Sequence, residues 1–246
     1  MRNTKVFLLI LTCIFSLPAN AEDVSISGDI AVVSQYVSRG LTYTSGKPAV
    51  QGDMVVGYGG LSVSAWFSNA YPSPAPQYAG RDVVEFDWGL DYSGAIDAFG
   101  YSIGAWYYTY LYDSASNYPE AYIGLSYDAV LSPSLTTYVA FADSHNKADL
   151  AGDIWIDFSV SADLAGLTFS AGGSYAYWAK DTLYRPNRDI YKSGVNLANA
   201  GVSKDIAVGE VTLTLSLSGT VPVISDSADG NKYIYGAVPS LKWCSA

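Results

Sequence analysis

Apolar and polar side chains alternate along about a dozen segments of this chain, and the connections between them are short and long in turn. Val84, Phe86, Trp88, Leu90 and Tyr92 fall on one side of such a segment, with Glu85, Asp87, Gly89 and Asp91 on the other. A period of two is that of a β-strand, whose successive side chains point to opposite faces. No apolar run outside the N-terminus is long enough for a spanning helix. A chain of this kind crosses a membrane only as a closed sheet, because every backbone N–H and C=O must be paired where water does not reach. The predicted fold is all-β: a closed antiparallel up-and-down transmembrane β-barrel of about 12 strands, with the apolar face toward lipid and the acidic face toward a lumen.

The predicted strands cover 24–37, 49–58, 61–68, 84–92, 101–110, 120–127, 135–142, 154–164, 167–177, 190–203, 211–218 and 233–243. The even count suits a single-chain bacterial barrel, and the longer connections follow the odd-numbered strands. With both termini periplasmic, those longer loops face outward. Tight turns are expected at Gly57–Gly60, at Ser93-Gly94 and at Ala165-Gly166, where positive φ is cheap for glycine. The loop after the third strand carries Pro72, Pro74 and Pro76, which donate nothing to a ladder. Neither a long inward-folding loop nor a separate plug domain is expected, which favours an open pore over a blocked lumen.

Twenty-one tyrosines and six tryptophans need a place. The pattern assigns Trp66-Phe67, Trp106-Tyr107-Tyr108 and Tyr175-Ala176-Tyr177-Trp178 to a belt at one membrane interface. Tyr58, Trp88, Tyr92, Tyr101, Tyr127 and Trp243 go to the other. Trp243 is also the expected C-terminal signal for the barrel-assembly machinery, and Pro239 requires a bulge or ladder break in that last strand.

The N-terminus is read separately. Arg2 and Lys5 precede the apolar run Val6 to Leu17, and Pro18-Ala19-Asn20-Ala21 ends in a small-x-small pattern. Residues 1–21 are expected to be a secretory signal peptide and residues 22–246 a single outer-membrane barrel domain, placed in the bacterial outer membrane in contact with its lipid. Cys13 lies in the signal, which leaves Cys244 alone in the mature chain; an intrachain disulfide is excluded. The formal net charge of −10 becomes more negative once Arg2 and Lys5 are removed. Nucleic acid is therefore not an expected partner.

On this phase the pore-lining candidates are Asp29, Gln51, Asp53, Glu85, Asp87, Asp91, Glu120 and Asp157, with Thr212, Thr214 and Ser216. Lys192, Lys232 and Lys242 are the few basic residues that reach the same surface. An acidic constriction favours cations and neutral polar solutes over anions. The expected function is passive diffusion of small polar solutes with a mild cation preference. The alternatives are a non-conducting structural or adhesion barrel and a membrane-embedded hydrolase. The chain is not expected to be an enzyme. Its one histidine, His145, sits in Asp143-Ser144-His145-Asn146, where adjacent residues make poor relay geometry. Asp87 and Asp91 lie two pleats apart, too far for an acid/base pair by spacing alone. Asp226 and Asp229-Gly230 lack the alternating ligands of a calcium loop. No zinc-spaced Cys/His set or phosphate-cradling glycine loop is present, so no metal or cofactor is expected.

Gln35-Tyr36-Val37-Ser38-Arg39-Gly40-Leu41, followed by Lys47-Pro48-Ala49-Val50-Gln51-Gly52, resembles the N-terminal hallmark of the TorF-type porin family (Gcw_chp) of proteobacterial outer-membrane proteins. Tyr118-Pro119-Glu120-Ala121-Tyr122-Ile123-Gly124-Leu125-Ser126-Tyr127 is similar to a second stretch of it. The family usually carries an aromatic residue where Ser38 stands. The resemblance implies an outer-membrane barrel with no catalytic residues to carry over. It singles out Arg39-Gly40 as the most distinctive feature: either a charge at the pore mouth or a turn in which Arg39 folds back onto lumen carboxylates.

Overall fold

The computed structural model describes residues 24–39, 41–44, 46–70, 83–111, 114–143, 150–179, 193–209, 211–222 and 240–245. The strands are β1 (Ser25–Val33), the two-residue β2 (Val37–Ser38) and β3 (Leu41–Thr42), β4 (Ala49–Tyr58), β5 (Leu61–Ala70), β6 (Val83–Ile96) and β7 (Phe99–Leu111). They continue with β8 (Tyr118–Tyr127), β9 (Ser132–Ala140), β10 (Ile154–Leu164), β11 (Leu167–Tyr177), β12 (Gly194–Val208), β13 (Val211–Pro222) and β14 (Ser240–Ser245). The twelve longer strands pair antiparallel in chain order, as an up-and-down sheet. β1 pairs with β4 on one side and with β14 on the other, so the ring of strands closes.

The molecule is apolar outside. Ile30, Val32, Met54, Trp88, Leu90, Ile103, Ile123, Phe158 and Leu217 are all exposed, on alternate positions of their strands. The buried side chains include Ser64, Ser68, Glu85, Asp87, Glu120 and Ser174, all polar. A water-soluble monomer rarely leaves so much apolar surface uncovered. The inversion follows from the two-residue period: once β6 places Glu85 and Asp87 inside, Phe86 and Trp88 must point out.

Short turns join β4 to β5 at Gly59-Gly60 and β10 to β11 at Ala165-Gly166; all four residues have positive φ. The compact connection expected at Ser93-Gly94 lies elsewhere. Those residues stay in the ladder, Gly94 opposite Tyr101, and the turn is Asp97-Ala98. Asp97 takes the left-handed conformation there (φ 52°), a role that aspartate fills more readily than most residues. β1 ends at Val33 rather than Val37, because the chain then leaves the sheet and turns inward. The strand expected over 190–203 instead runs from Gly194 to Val208. Of the last expected strand only Ser240–Ser245 is described. The signal segment, His145, Lys192, Asp226, Asp229, Lys232 and Pro239 lie outside the described residues.

Two aromatic belts as drawn from the sequence are corrected. Trp66, Trp106 and Tyr108 line an interior cavity, not an outer belt. Each lies in phase with an inward polar residue; Trp66, for example, sits between Ser64 and Ser68. Trp88 and Tyr107, assigned to opposite belts, are direct cross-strand partners and so share one depth. Tyr92, Tyr127, Tyr175 and Tyr177 do point outward.

Candidate functional site: an inward hairpin and the cavity beside it

The expectation of no inward-folding loop is also overturned. Among the described residues between β1 and β4, 36–39 and 41–44 fold into the barrel. Val37 pairs with Thr42 and Ser38 with Leu41. The pairing extends outward through the bond from Tyr43 N to Tyr36 O (2.8 Å), and Tyr36 N donates to Thr44 Oγ1 (2.9 Å). The Tyr36 and Tyr43 rings stack at 4.8 Å, and Tyr36 also meets Trp66 at 5.4 Å. Burial pushes both phenols well above their ordinary pKa, so they remain neutral.

Arg39 stands at the tip of this small hairpin with φ 52°, a left-handed conformation that costs a non-glycine residue roughly 1–2 kcal/mol. Its surroundings hold it there. Both terminal nitrogens donate to the two oxygens of Glu120 on β8, a bidentate fork, and the Glu120 side chain is only 3% exposed. The Tyr108 hydroxyl donates to the same carboxylate at 3.1 Å. The guanidinium lies 5.6 Å from the ring centres of both Tyr138 on β9 and Trp155 on β10. Counted round the ring from β1, β9 is the seventh of twelve strands. The hairpin therefore spans the lumen to the opposite wall.

The carboxylates divide into four settings. Glu120 is neutralised by Arg39. Glu85 lies beneath the hairpin, bonded to the Tyr36 and Tyr110 hydroxyls, with Oε2 lacking a hydrogen-bond partner. Asp87 and Asp157 line a cavity of about 560 Å³. Asp87 Oδ1 accepts from Thr109 N (3.2 Å), and Asp157 Oδ1 accepts from Trp155 Nε1 (2.7 Å) and Ser174 Oγ (2.5 Å). Asp29, Gln51, Asp53 and Asp91 lie away from the cavity. Asp29 is the cross-strand partner of both Asp53 and Lys242, Gln51 contacts Ser68, and Asp91 accepts from Ser62 Oγ at 2.7 Å.

The cavity also takes in Tyr36, Arg39, Trp66, Trp106, Tyr108, Tyr138 and Trp155. None of these except Arg39 was singled out from the sequence as a site residue. A usable signal was there: Trp66, Trp106 and Trp155 share the polar phase of their strands. Gly89 marks the same place, since a Cβ on it would lie 3.0 Å from the Trp106 ring and 2.2 Å from Ser64 Oγ. Among the described residues no group of three or more His, Cys, Asp or Glu could hold a metal ion.

Comparison with known proteins agrees with this architecture. The KdgM porin superposes with a TM-score of 0.52 at 8% identity, covering 89% of this chain and 98% of that one. The COG4313 outer membrane channel from Pseudomonas putida F1 gives 0.49 at 9% identity, over 93% and 97%. Outer membrane phospholipase A from Escherichia coli gives 0.47 at 9% identity, over 90% and 96%. The expectation that the chain is not an enzyme does not stand, since an enzyme, outer membrane phospholipase A, is among the similar structures. No curated protein matches the chain. Residues 19–198 match a family described as "Bacterial protein of unknown function (Gcw_chp)". With most of its length inside that match, the chain belongs to the Gcw_chp family.

Proposed function

We propose that this protein is a porin-like outer-membrane channel for passive diffusion of small polar solutes, mildly selective for cations and narrowed by the β2–β3 hairpin. The observation that carries the reading is the cavity left beside the hairpin. It is lined by Asp87 and Asp157, inside a ring of strands whose outer face is apolar. A barrel of twelve strands encloses a lumen wider than eight strands allow and narrower than that of the 16–18-stranded porins. With Arg39 neutralised by Glu120, the Asp157 carboxylate on the cavity wall is left to attract cations.

Under this reading residues 1–21 direct export, 22–246 form the barrel, the outer face meets lipid, and the strand ending near Trp243 engages the assembly machinery. The TorF-type porin resemblance points the same way. Single-channel recording in planar bilayers tests the reading. Stable conductance steps are expected, with a reversal potential in a salt gradient on the cation side; no conductance above background from correctly folded protein ends it.

The hairpin itself favours a second reading, a non-conducting structural barrel, because it reaches from one wall to the other. The same recording separates the two. A silent wild type that conducts after Arg39 and Glu120 are both replaced by alanine is the result expected of a plug.

A further inference from the structure

We propose that the cavity beside the hairpin is a binding seat for a small organic cation with a guanidinium head, an inference that rests on the channel reading for the solute's route in. The protein already displays the chemistry with its own side chain. The Arg39 guanidinium meets a carboxylate edge-on and two aromatic rings at 5.6 Å. Arg39 lines one side of the cavity, and beyond it the same wall adds components of the same kinds: the Trp66 and Trp106 rings and the carboxylates Asp87 and Asp157. Asp157 is bonded to Trp155 Nε1, and Trp155 is the cross-strand partner of Tyr138. Asp87 is the cross-strand partner of both Trp66 and Tyr108.

The hydrogen bonds described for Asp87 and Asp157 all go to Oδ1, which leaves Oδ2 of each for a ligand. Neither carboxylate has a basic partner among the described residues. A volume of about 560 Å³ is ordinary for a small-molecule site. The ring faces decide between cations. A compact inorganic ion holds its water tightly and gains little from them. A planar, weakly hydrated guanidinium stacks on a ring while its N–H groups reach a carboxylate. Arg39 is already taken up by Glu120, so an anion meets the Asp157 carboxylate and is repelled, and a neutral solute leaves that carboxylate uncompensated.

The test uses the folded full-length mature protein with methylguanidinium, and with methylurea as its neutral isostere. In planar bilayers in sodium salt, millimolar methylguanidinium should reduce the current in a saturable way and methylurea should not. Asp157→Asn, which keeps the side-chain shape, should raise the half-blocking concentration about tenfold, the scale of one charge-assisted contact; Asp87→Asn is the independent second variant. Tryptophan fluorescence of the detergent-folded protein, titrated with the same two compounds, gives a readout that needs no conductance. A conducting channel indifferent to methylguanidinium, equal responses to the two compounds, or full block retained in both variants overturns the seat and leaves the channel reading standing. Saturable fluorescence binding by a barrel that never conducts overturns the channel reading and leaves the seat.

Discussion

The inner wall from β6 to β10 and the inner wall of β12 and β13 obey the same alternation and do opposite things with it. The first carries Glu85, Asp87, Trp106, Tyr108, Glu120, Tyr138, Trp155 and Asp157, many of them large and several buried. The second carries Asn199, Gly201, Ser203 and Asp205 opposite Thr220, Ser218, Ser216 and Thr214. Its polar contacts are local, as in Thr214 Oγ1 donating to Asp205 at 2.6 Å between exposed side chains. The hairpin docks on the bulky wall, which also lines most of the cavity, while β12 and β13 contribute only Leu197, Asn199 and Thr220. Side-chain size on the inward phase, rather than the phase itself, decides which part of the lumen fills.

The sharpest way to break this contrast is Glu120→Ala. It strands Arg39 inside the barrel without its fork, and losing one partner of a buried pair costs on the order of 3–5 kcal/mol. Denaturant unfolding in detergent should show the loss, and single-channel recording should show a larger or noisier conductance as the hairpin comes free. Unchanged stability and conductance would mean that the hairpin does not depend on this wall.

A double-mutant cycle sharpens the point. Arg39→Ala and Glu120→Ala should be far from additive in unfolding free energy, with a coupling of about 1–3 kcal/mol. Additive effects would remove the direct pair as the anchor. The close packing of the bulky wall gives a third outcome. Gly89→Ala should destabilise by about 1–3 kcal/mol, since the added methyl meets the Trp106 ring and Ser64; the near-ultraviolet circular dichroism of the tryptophans should change with it.

Selectivity follows. Glu85→Gln with Asp87→Asn should move the reversal potential in a salt gradient toward zero, because two of the carboxylates on the lumen side are lost. An unchanged potential would place the selectivity elsewhere. The smallest effect belongs to the sparse wall. Ser218→Ala should alter stability by no more than about 0.5 kcal/mol and leave conductance as it was, since little packs on that surface. A large change there would erase the distinction between the two walls.

The polar faces were readable from the sequence because a two-residue period admits only two phases. Glu85 and Asp87 declare the inward one, and Phe86 and Trp88 must then go out. The turns at Gly59-Gly60 and Ala165-Gly166 were readable from local backbone chemistry. Trp106 was misplaced because aromatic composition suggests a membrane interface, while its phase, opposite Gly89, pointed inward. Asp97-Ala98 was missed as a turn because Ser93-Gly94 offered the stronger local signal, yet Gly94 was needed beside the Tyr101 ring.

Alternation by itself determined the all-β architecture, the strand order and the side of the wall on which each carboxylate stands, since those depend on neighbours one or two residues away. Only the tertiary structure decided where residues 36–39 and 41–44 go. A loop has no period to read. This one is held by Glu120, 81 positions along the chain from Arg39, and by the rings of Tyr138 and Trp155. Those partners come together only when β8, β9 and β10 have closed round to face β1 across the lumen.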